Sequence, residues 1–367
     1  MKPLFSFFLV LVSTGFCFAQ VEDDATRPIG FVRQTCPEGS DTWIGTPFEH
    51  VKADASVELK SRPRVISSRH IAVFYLLRKQ PWTKNQFVGT HYVRIAGNHE
   101  WAGRPYKIQS VRRTLIVVEY EDHFPKEDFT RGHEIEVVPY PTVTDIFPPD
   151  SQTTFQESDG VLPLQRKTEL LIFEDDPSNS TPTPPTSFFV TADGWQQVTS
   201  AGIQPANNVM LKPWTAMVIR NKTGLGDTEF VTTGLLPKFP VHTPARGILN
   251  ERVEIPTPAP VFVPTRLADL QLPTRHNIFG DSETFDEADR AAELLVFDGA
   301  IAELNKEPSA TYFRVAGQWH LDNGTTYPVS DDVEIQPGTA FSFKKNRTWF
   351  HKWVYTPVHL QEEGATE

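Results

Sequence analysis

Cysteine, methionine and long apolar runs are what this chain of 367 residues has least of. Of its two cysteines, Cys17 falls in an N-terminal segment that reads as a cleaved leader, so Cys36 stands alone and no disulfide can close within the mature chain. An exported protein of this kind has to be held by its core, which a chain of this size can bury. Cys36 reads as a partly buried single thiol, and pairing between chains is the sharper alternative. After the first twenty residues no apolar run approaches the ~20 residues that span a bilayer, which excludes a helical membrane protein.

Reactive motifs are missing as well. No Gly-x-Ser-x-Gly elbow occurs, so the strained nucleophile turn of that hydrolase class is absent. Gly224-Leu225-Gly226 lacks the Lys and Ser/Thr of a phosphate loop and reads as a hairpin loop. His133-Glu134 opens like a zinc-protease helix, but no His stands four residues after His133 and the context is a strand. His91, His99 and Glu100 flank one hairpin and would need a further convergent ligand to hold a metal. Acidic turns such as Glu174-Asp175-Asp176 and Asp331-Asp332 lack the ordered spacing of a calcium loop. We therefore assign no catalytic, cofactor-binding or metal-binding residue and expect no cofactor.

What is present is β-forming. Proline is abundant (31) and Phe frequent (26), a mixture that suits short strands joined by Pro-bearing loops. The expected fold is all-β with very little helix: an N-terminal antiparallel β domain over residues 20–149, then two homologous small antiparallel β units, sandwich-like or packed sheet on sheet. Lys2, the apolar Leu4 to Val12 and the small-residue end Cys17-Phe18-Ala19 form a secretory signal, with cleavage expected after Ala19. A lipid anchor on Cys17 is disfavoured because Phe16 stands where such signals carry a small residue. Removing residues 1–19, which hold one lysine and no acid, takes the net charge from −11 to −12. That balance argues against nucleic acid and anionic membranes as partners. One stretch runs the other way: Lys52, Lys60, Arg62, Arg64, Arg69, Arg78, Lys79 and Lys84. It reads as the solvated face of a hairpin, with binding of an acidic polysaccharide as the alternative.

The strongest organising feature is a repeat. Glu169-Leu170-Leu171-Ile172-Phe173 recurs 124 positions later as Glu293-Leu294-Leu295-Val296-Phe297, and the register holds without a gap for some fifty residues. Ser187-Phe188-Phe189-Val190 answers to Thr311-Tyr312-Phe313-Arg314, Trp195 to Trp319, and Pro213-Trp214-Thr215-Ala216 to Pro337-Gly338-Thr339-Ala340. Glu169 and Glu293 are the ionisable residues this stretch shares, so the duplication reads as a scaffold. The copies are placed at 150–238 and 265–355, separated by a Pro-rich linker or edge segment at 239–264 and followed by an acidic tail at 356–367. Strands are expected at Glu169–Glu174, Ser187–Thr191, Trp195–Val198, Val209–Leu211 and Ala216–Arg220, and again 124 positions on. Upstream, Ile29–Val32, Asp41–Gly45, Ile71–Leu77, Phe87–Val88, His91–Ile95, Leu115–Tyr120 and Glu134–Val138 read as strands. Glu287–Glu293, with Asp286 as cap, is the best helix candidate. Trp195 and Trp319 read as core anchors of their repeats. Trp349 and Trp353 near the C-terminus are the candidate ligand-contacting residues.

These words in this order, Ile29-Gly30-Phe31-Val32, Ser40-Asp41-Thr42 with Pro47-Phe48, Trp82 to Val88, Val138-Pro139-Tyr140 with Thr144 to Pro148, and the two Glu-Leu-Leu units, resemble a large paralogous family of exported proteins first noticed in Verrucomicrobia. The likeness runs from about residue 25 to residue 347. It implies secretion, β-rich structure and internal repetition, and carries no activity with it. The function expected is that of a non-catalytic cell-surface or extracellular β-scaffold binding polysaccharide or an envelope protein. A secreted carbohydrate-active hydrolase using loop carboxylates is the alternative, and an outer-membrane β-barrel ranks third, since the sequence ends Glu362 to Glu367 without the aromatic residue typical of that class.

Overall fold

The computed structural model describes residues 29–45, 48–97, 101–120, 124–173, 185–213, 215–249, 257–258, 261–272, 279–297, 302–345, 349–357 and 360. The leader at 1–19, residues 174–184, His99 with Glu100, and the end of the acidic tail lie outside them. The fold is all-β: antiparallel sheets dominate, and among the described residues the α-helix α1 (Val143–Ile146) is a single turn. It forms because Thr142 and Asp145 close a capping box, each side chain accepting from the other's backbone N–H.

Strands β1 (Ile29–Cys36) and β2 (Ser40–Gly45) open the chain, and β3 (Ala55–Glu58), β4 (Arg64–Ile66), β5 (Ile71–Tyr75), β6 (His91–Ile95), β7 (Pro105–Arg112), β8 (Leu115–Glu119) and β9 (Glu134–Pro139) follow. The last seven form one sheet in the order β3-β9-β6-β7-β8-β5-β4. It closes on itself. Leu59 bridges Leu76, Lys60 N–H donates to Tyr75 O at 2.7 Å and Leu77 N–H to Glu58 O at 2.8 Å, so the stretch from β3 to β4 pairs β9 with its first half and β5 with its second. Val57, Phe74, Val93, Ile95, Ile108, Val111, Ile116, Val118, Ile135 and Val137 fill the interior, and Lys, Arg and Glu alternate outward. A charged outside and an apolar inside is the inverse of what a lipid-spanning barrel needs. Phe87 and Val88, expected as a strand, lie in turns; Phe87 packs edge-on to Trp82 at 5.2 Å, both buried against the barrel core.

The first repeat is a meander of β10 (Thr168–Ile172), β11 (Thr186–Thr191), β12 (Gly194–Thr199), β13 (Gly202–Pro205) and β14 (Ala216–Asn221), ordered β13-β12-β11-β10-β14-β2. Strand β15 (Thr228–Leu235) pairs with β1 over its whole length. The two opening strands, grouped by sequence with residues 20–149, thus hydrogen-bond to the repeat and not to the barrel. The linker supplies β16 (Val241–Leu249) and β17 (Thr257–Pro258), and β18 (Thr265–Arg266) follows it. The second repeat runs through β19 (Ala292–Val296), β20 (Ala310–Val315), β21 (Gln318–Leu321), β22 (Glu334–Ile335), β23 (Ala340–Lys345) and β24 (Trp349–Tyr355), in the order β21-β20-β19-β23-β16-β24, with β17 also on β23. Where β2 sets Gly45 opposite Ala216, β17 sets Pro258 opposite Ala340, the same place in the other copy. The expected helix at Glu287–Glu293 is instead a 3-10 turn at Glu287–Asp289, without a side-chain cap from Asp286, that runs into β19. Leu294 and Leu295 pair with a strand on each side, and two turns of helix propensity cannot outweigh two ladders.

The repeats meet through Leu171 and Leu295, which are equivalent residues, with Val218 and Trp43 of β2. The Trp43 indole stacks on Phe297 at 3.7 Å between centroids and on Phe173 at 6.4 Å, so equivalent phenylalanines of the two copies share one ring. Asp41 takes both Arg220 Nε (2.8 Å) and Nη2 (2.7 Å) and also accepts from Asn305 N–H of the second copy. The barrel approaches β16 at Gly103, whose φ of +82° favours glycine and where a Cβ would lie 1.8 Å from Pro240 O.

Candidate functional site

The barrel and the first repeat join at a buried ionic cluster. Arg94 on β6 and Glu136 on β9 are cross-strand partners, and the guanidinium donates from Nε (2.8 Å) and Nη2 (2.6 Å) to Glu136 Oε2. Its Nη1 donates to Glu49, a residue bridged to Leu235 of β15, while Lys238 pairs with Glu136 from the far side and Phe239 lies 5.3 Å under the guanidinium. Burial alone would raise the Glu136 carboxyl; Arg94 and Lys238 outweigh it and hold the group below the usual carboxylate range. Burial pushes the Tyr92 hydroxyl up against a weaker opposing pull from Arg94, so the phenol stays neutral.

A cleft beside this cluster is lined by Phe48, His50, Tyr92, Ile146, Lys212 and Met217 among others, and encloses about 30 Å³, room for about one water. His50 Nε2 is buried there without a hydrogen-bond partner, and burial lowers the imidazole to about 4 against a small opposing pull from Asp145. A folded-state value below the unfolded 6.5 means the unfolded chain binds the extra proton, so stability held at neutral pH is lost as pH falls through 6.5 toward 4. Relative to the His50→Phe variant, the native protein should lose roughly 2–3 kcal/mol between pH 7 and pH 4. Urea denaturation of both at several pH values checks this; parallel curves would sink it.

The repeats carry a second kind of cluster, in duplicate. Arg166 Nη1 donates to Glu169 at 3.3 Å and its guanidinium lies 4.8 Å over Phe189; 124 positions on, Arg290 Nη1 donates to Glu293 at 2.6 Å and lies 4.1 Å over Phe313. Their Nε groups donate to the equivalent carbonyls of Val161 and Phe285. The second cation differs by position: Lys222 reaches Glu169, whereas Lys344, the counterpart of Arg220, reaches Glu293. The copies also share Asp145 with Asp269, Phe155 with Phe279 packed edge-on or tilted against Trp195 and Trp319, and Asn207 with Asp331 accepting from the backbone N–H groups of the two Trp residues. The duplication therefore extends upstream of the stretch matched in sequence, to at least Thr142 and Arg266.

Trp195 and Trp319 are buried as core anchors, Trp195 donating from Nε1 to Phe147 O at 2.9 Å. Trp349 and Trp353 sit on β24 opposite Gly247 and Thr243; their backbones are described and their side chains are not. Cys36 is fully buried, and that burial pushes its thiol up to about 11. The Gly224-Leu225-Gly226 loop does cradle an anion, but one of the chain's own: Gly224 and Gly226 N–H donate to the two Glu38 carboxylate oxygens at 2.5 and 3.1 Å. His91 Nε2 meets Asp54 at 2.8 Å, and His99 and Glu100 lie outside the described residues. No group of three or more metal-ligating side chains assembles among the described residues, and no described helix is long and apolar enough to cross a membrane. Comparison with family models, with curated proteins and with solved structures finds no match.

Proposed function

We propose that the chain is an exported, non-catalytic β-scaffold of the cell surface or extracellular matrix that binds a polysaccharide or an envelope protein. One observation carries the reading: among the described residues, the buried acids are committed to holding the sheets together. Glu136 and Glu49 clamp Arg94, Glu169 and Glu293 hold the equivalent arginines, and Asp41 ties the first repeat to the second. Carboxylates fixed by internal cations are not placed to meet a substrate across a cleft, which favours binding over glycoside hydrolysis. The resemblance to the Verrucomicrobial exported family supports the export half of the reading. A glycan array with the purified protein, run beside a polysaccharide-degradation screen, tests it. Binding without turnover is expected. Release of reducing ends from any polysaccharide would overturn the non-catalytic half, and silence in both assays would remove the carbohydrate half.

A further inference from the structure

On a chain of net charge −11, one end of the N-terminal barrel is positive. Arg78 and Lys79 follow β5, Lys84 lies in the turns after them, Arg112 ends β7 and Arg113 begins its tight turn into β8; all five are exposed. Backbone hydrogen bonds lace the segments together: Leu76 N–H to Thr114 O at 2.9 Å, Gln80 N–H to Arg113 O at 2.7 Å, and Asn85 N–H to Val111 O at 3.0 Å, the last returned by Val111 N–H to Asn85 Oδ1 at 3.3 Å. Asn85 sits at φ 58°, a left-handed turn that this reciprocal pair holds in place. Residues 76–90 and 110–118 contain no acid, and none of the five cations pairs with a described carboxylate. Elsewhere in the basic stretch Arg62 is taken up by Glu127 at 2.8 Å. Arg112 and Arg113 lie far from that stretch in sequence and join it only through the fold.

Five cations without a described carboxylate partner, on one hydrogen-bonded frame inside an otherwise acidic molecule, repel one another. Hydroxyl and amide groups of Thr83, Gln86, Thr90 and Thr114 stand exposed among them. We infer that this end of the barrel is the docking surface for an acidic polysaccharide, a chain bearing carboxylate or sulfate groups, with the cations meeting the anionic groups and the surrounding hydroxyls and amides meeting sugar hydroxyls. The inference rests on the proposed function for its choice of a glycan among polyanions, and it names the substrate class and the place.

The test uses the purified full chain, immobilised, with polygalacturonate and a sulfated galactan as acidic probes and dextran as the neutral one. Double-stranded DNA and vesicles of 30% phosphatidylglycerol in phosphatidylcholine serve as non-glycan polyanions. The acidic probes should bind, with affinity falling about tenfold or more between about 50 and 300 mM salt. The quadruple variant Arg78→Gln, Lys79→Gln, Arg112→Gln, Arg113→Gln, exposed at every position and checked for an unchanged thermal transition, should weaken acidic-probe binding by about tenfold or more. An Arg33→Gln, Arg62→Gln control should leave it unchanged. Equal loss in both variants, or none in the quadruple, overturns the inference. So does binding of DNA or vesicles as tight as that of polygalacturonate. Dextran binding that the quadruple variant leaves intact, with acidic probes silent, sinks this inference while the scaffold reading stands; silence toward every glycan removes the carbohydrate half of both.

Discussion

Replacing Arg94 with methionine is expected to destabilise the protein by about 3–5 kcal/mol, more than any exposed charge change could. The side chain is only 8% exposed and faces Glu49 and Glu136, which are 7% and 2% exposed. With the guanidinium gone, Lys238 still meets Glu136, but the two buried carboxylates lose the cation that stood between them. The cost should shrink at low pH, where protonation relieves the repulsion, and the double variant Arg94→Met, Glu136→Gln should recover part of it. Urea denaturation at pH 7 and pH 5 measures both effects. A loss under about 1 kcal/mol for the single variant would show that the cluster is solvated and contributes little.

A comparable loss, about 3–5 kcal/mol, is expected for Trp195→Ala. The indole is fully buried between Phe147 and Phe155, with ring centroids at 6.1 and 4.9 Å, and its N–H satisfies the Phe147 carbonyl. Truncation leaves a cavity and an unpaired acceptor together. Trp195→Phe should recover most of the packing but not the hydrogen bond, and fall in between. If the Ala and Phe variants match in equilibrium denaturation, packing around this ring is not what holds the first repeat.

Much of the scaffold is legible in the sequence. The offset between the Glu-Leu-Leu units marks equivalent strands β10 and β19, and the two tryptophans sit where a core anchor belongs. The misses have physical causes. Strand β7 escapes a search for alternation because a bulge between Ile108 and Ser110 shifts its inward face, leaving Tyr106, Ile108 and Val111 out of even spacing. Phe87-Val88 has strand composition, yet it serves as a buried turn. Arg166 and Arg290 stand three residues upstream of the matched stretch, and extending the same offset backwards would have found them. Arg94 and Glu136 carried a usable signal too: single charges inside apolar strand runs, which need each other when both runs are buried. The convergence of Arg78 and Lys79 with Arg112 and Arg113 carried none, because only strand pairing around the barrel brings those segments together.

The pairing of β1 and β2 with β15 and β14 spans the entire barrel, as the separations of 196 residues for Arg33 with Glu229 and 179 for Asp41 with Arg220 record. The chain leaves the first repeat after β2, builds the barrel, and returns at Pro141, whose carbonyl accepts from Leu211. In effect the barrel is a guest inserted into a discontinuous host. The host cannot finish folding until its C-terminal half has been delivered, which makes its assembly late and of high contact order. The guest, built from contacts local to residues 55–139, is free to diverge in what it presents without rewriting the sheets that carry it.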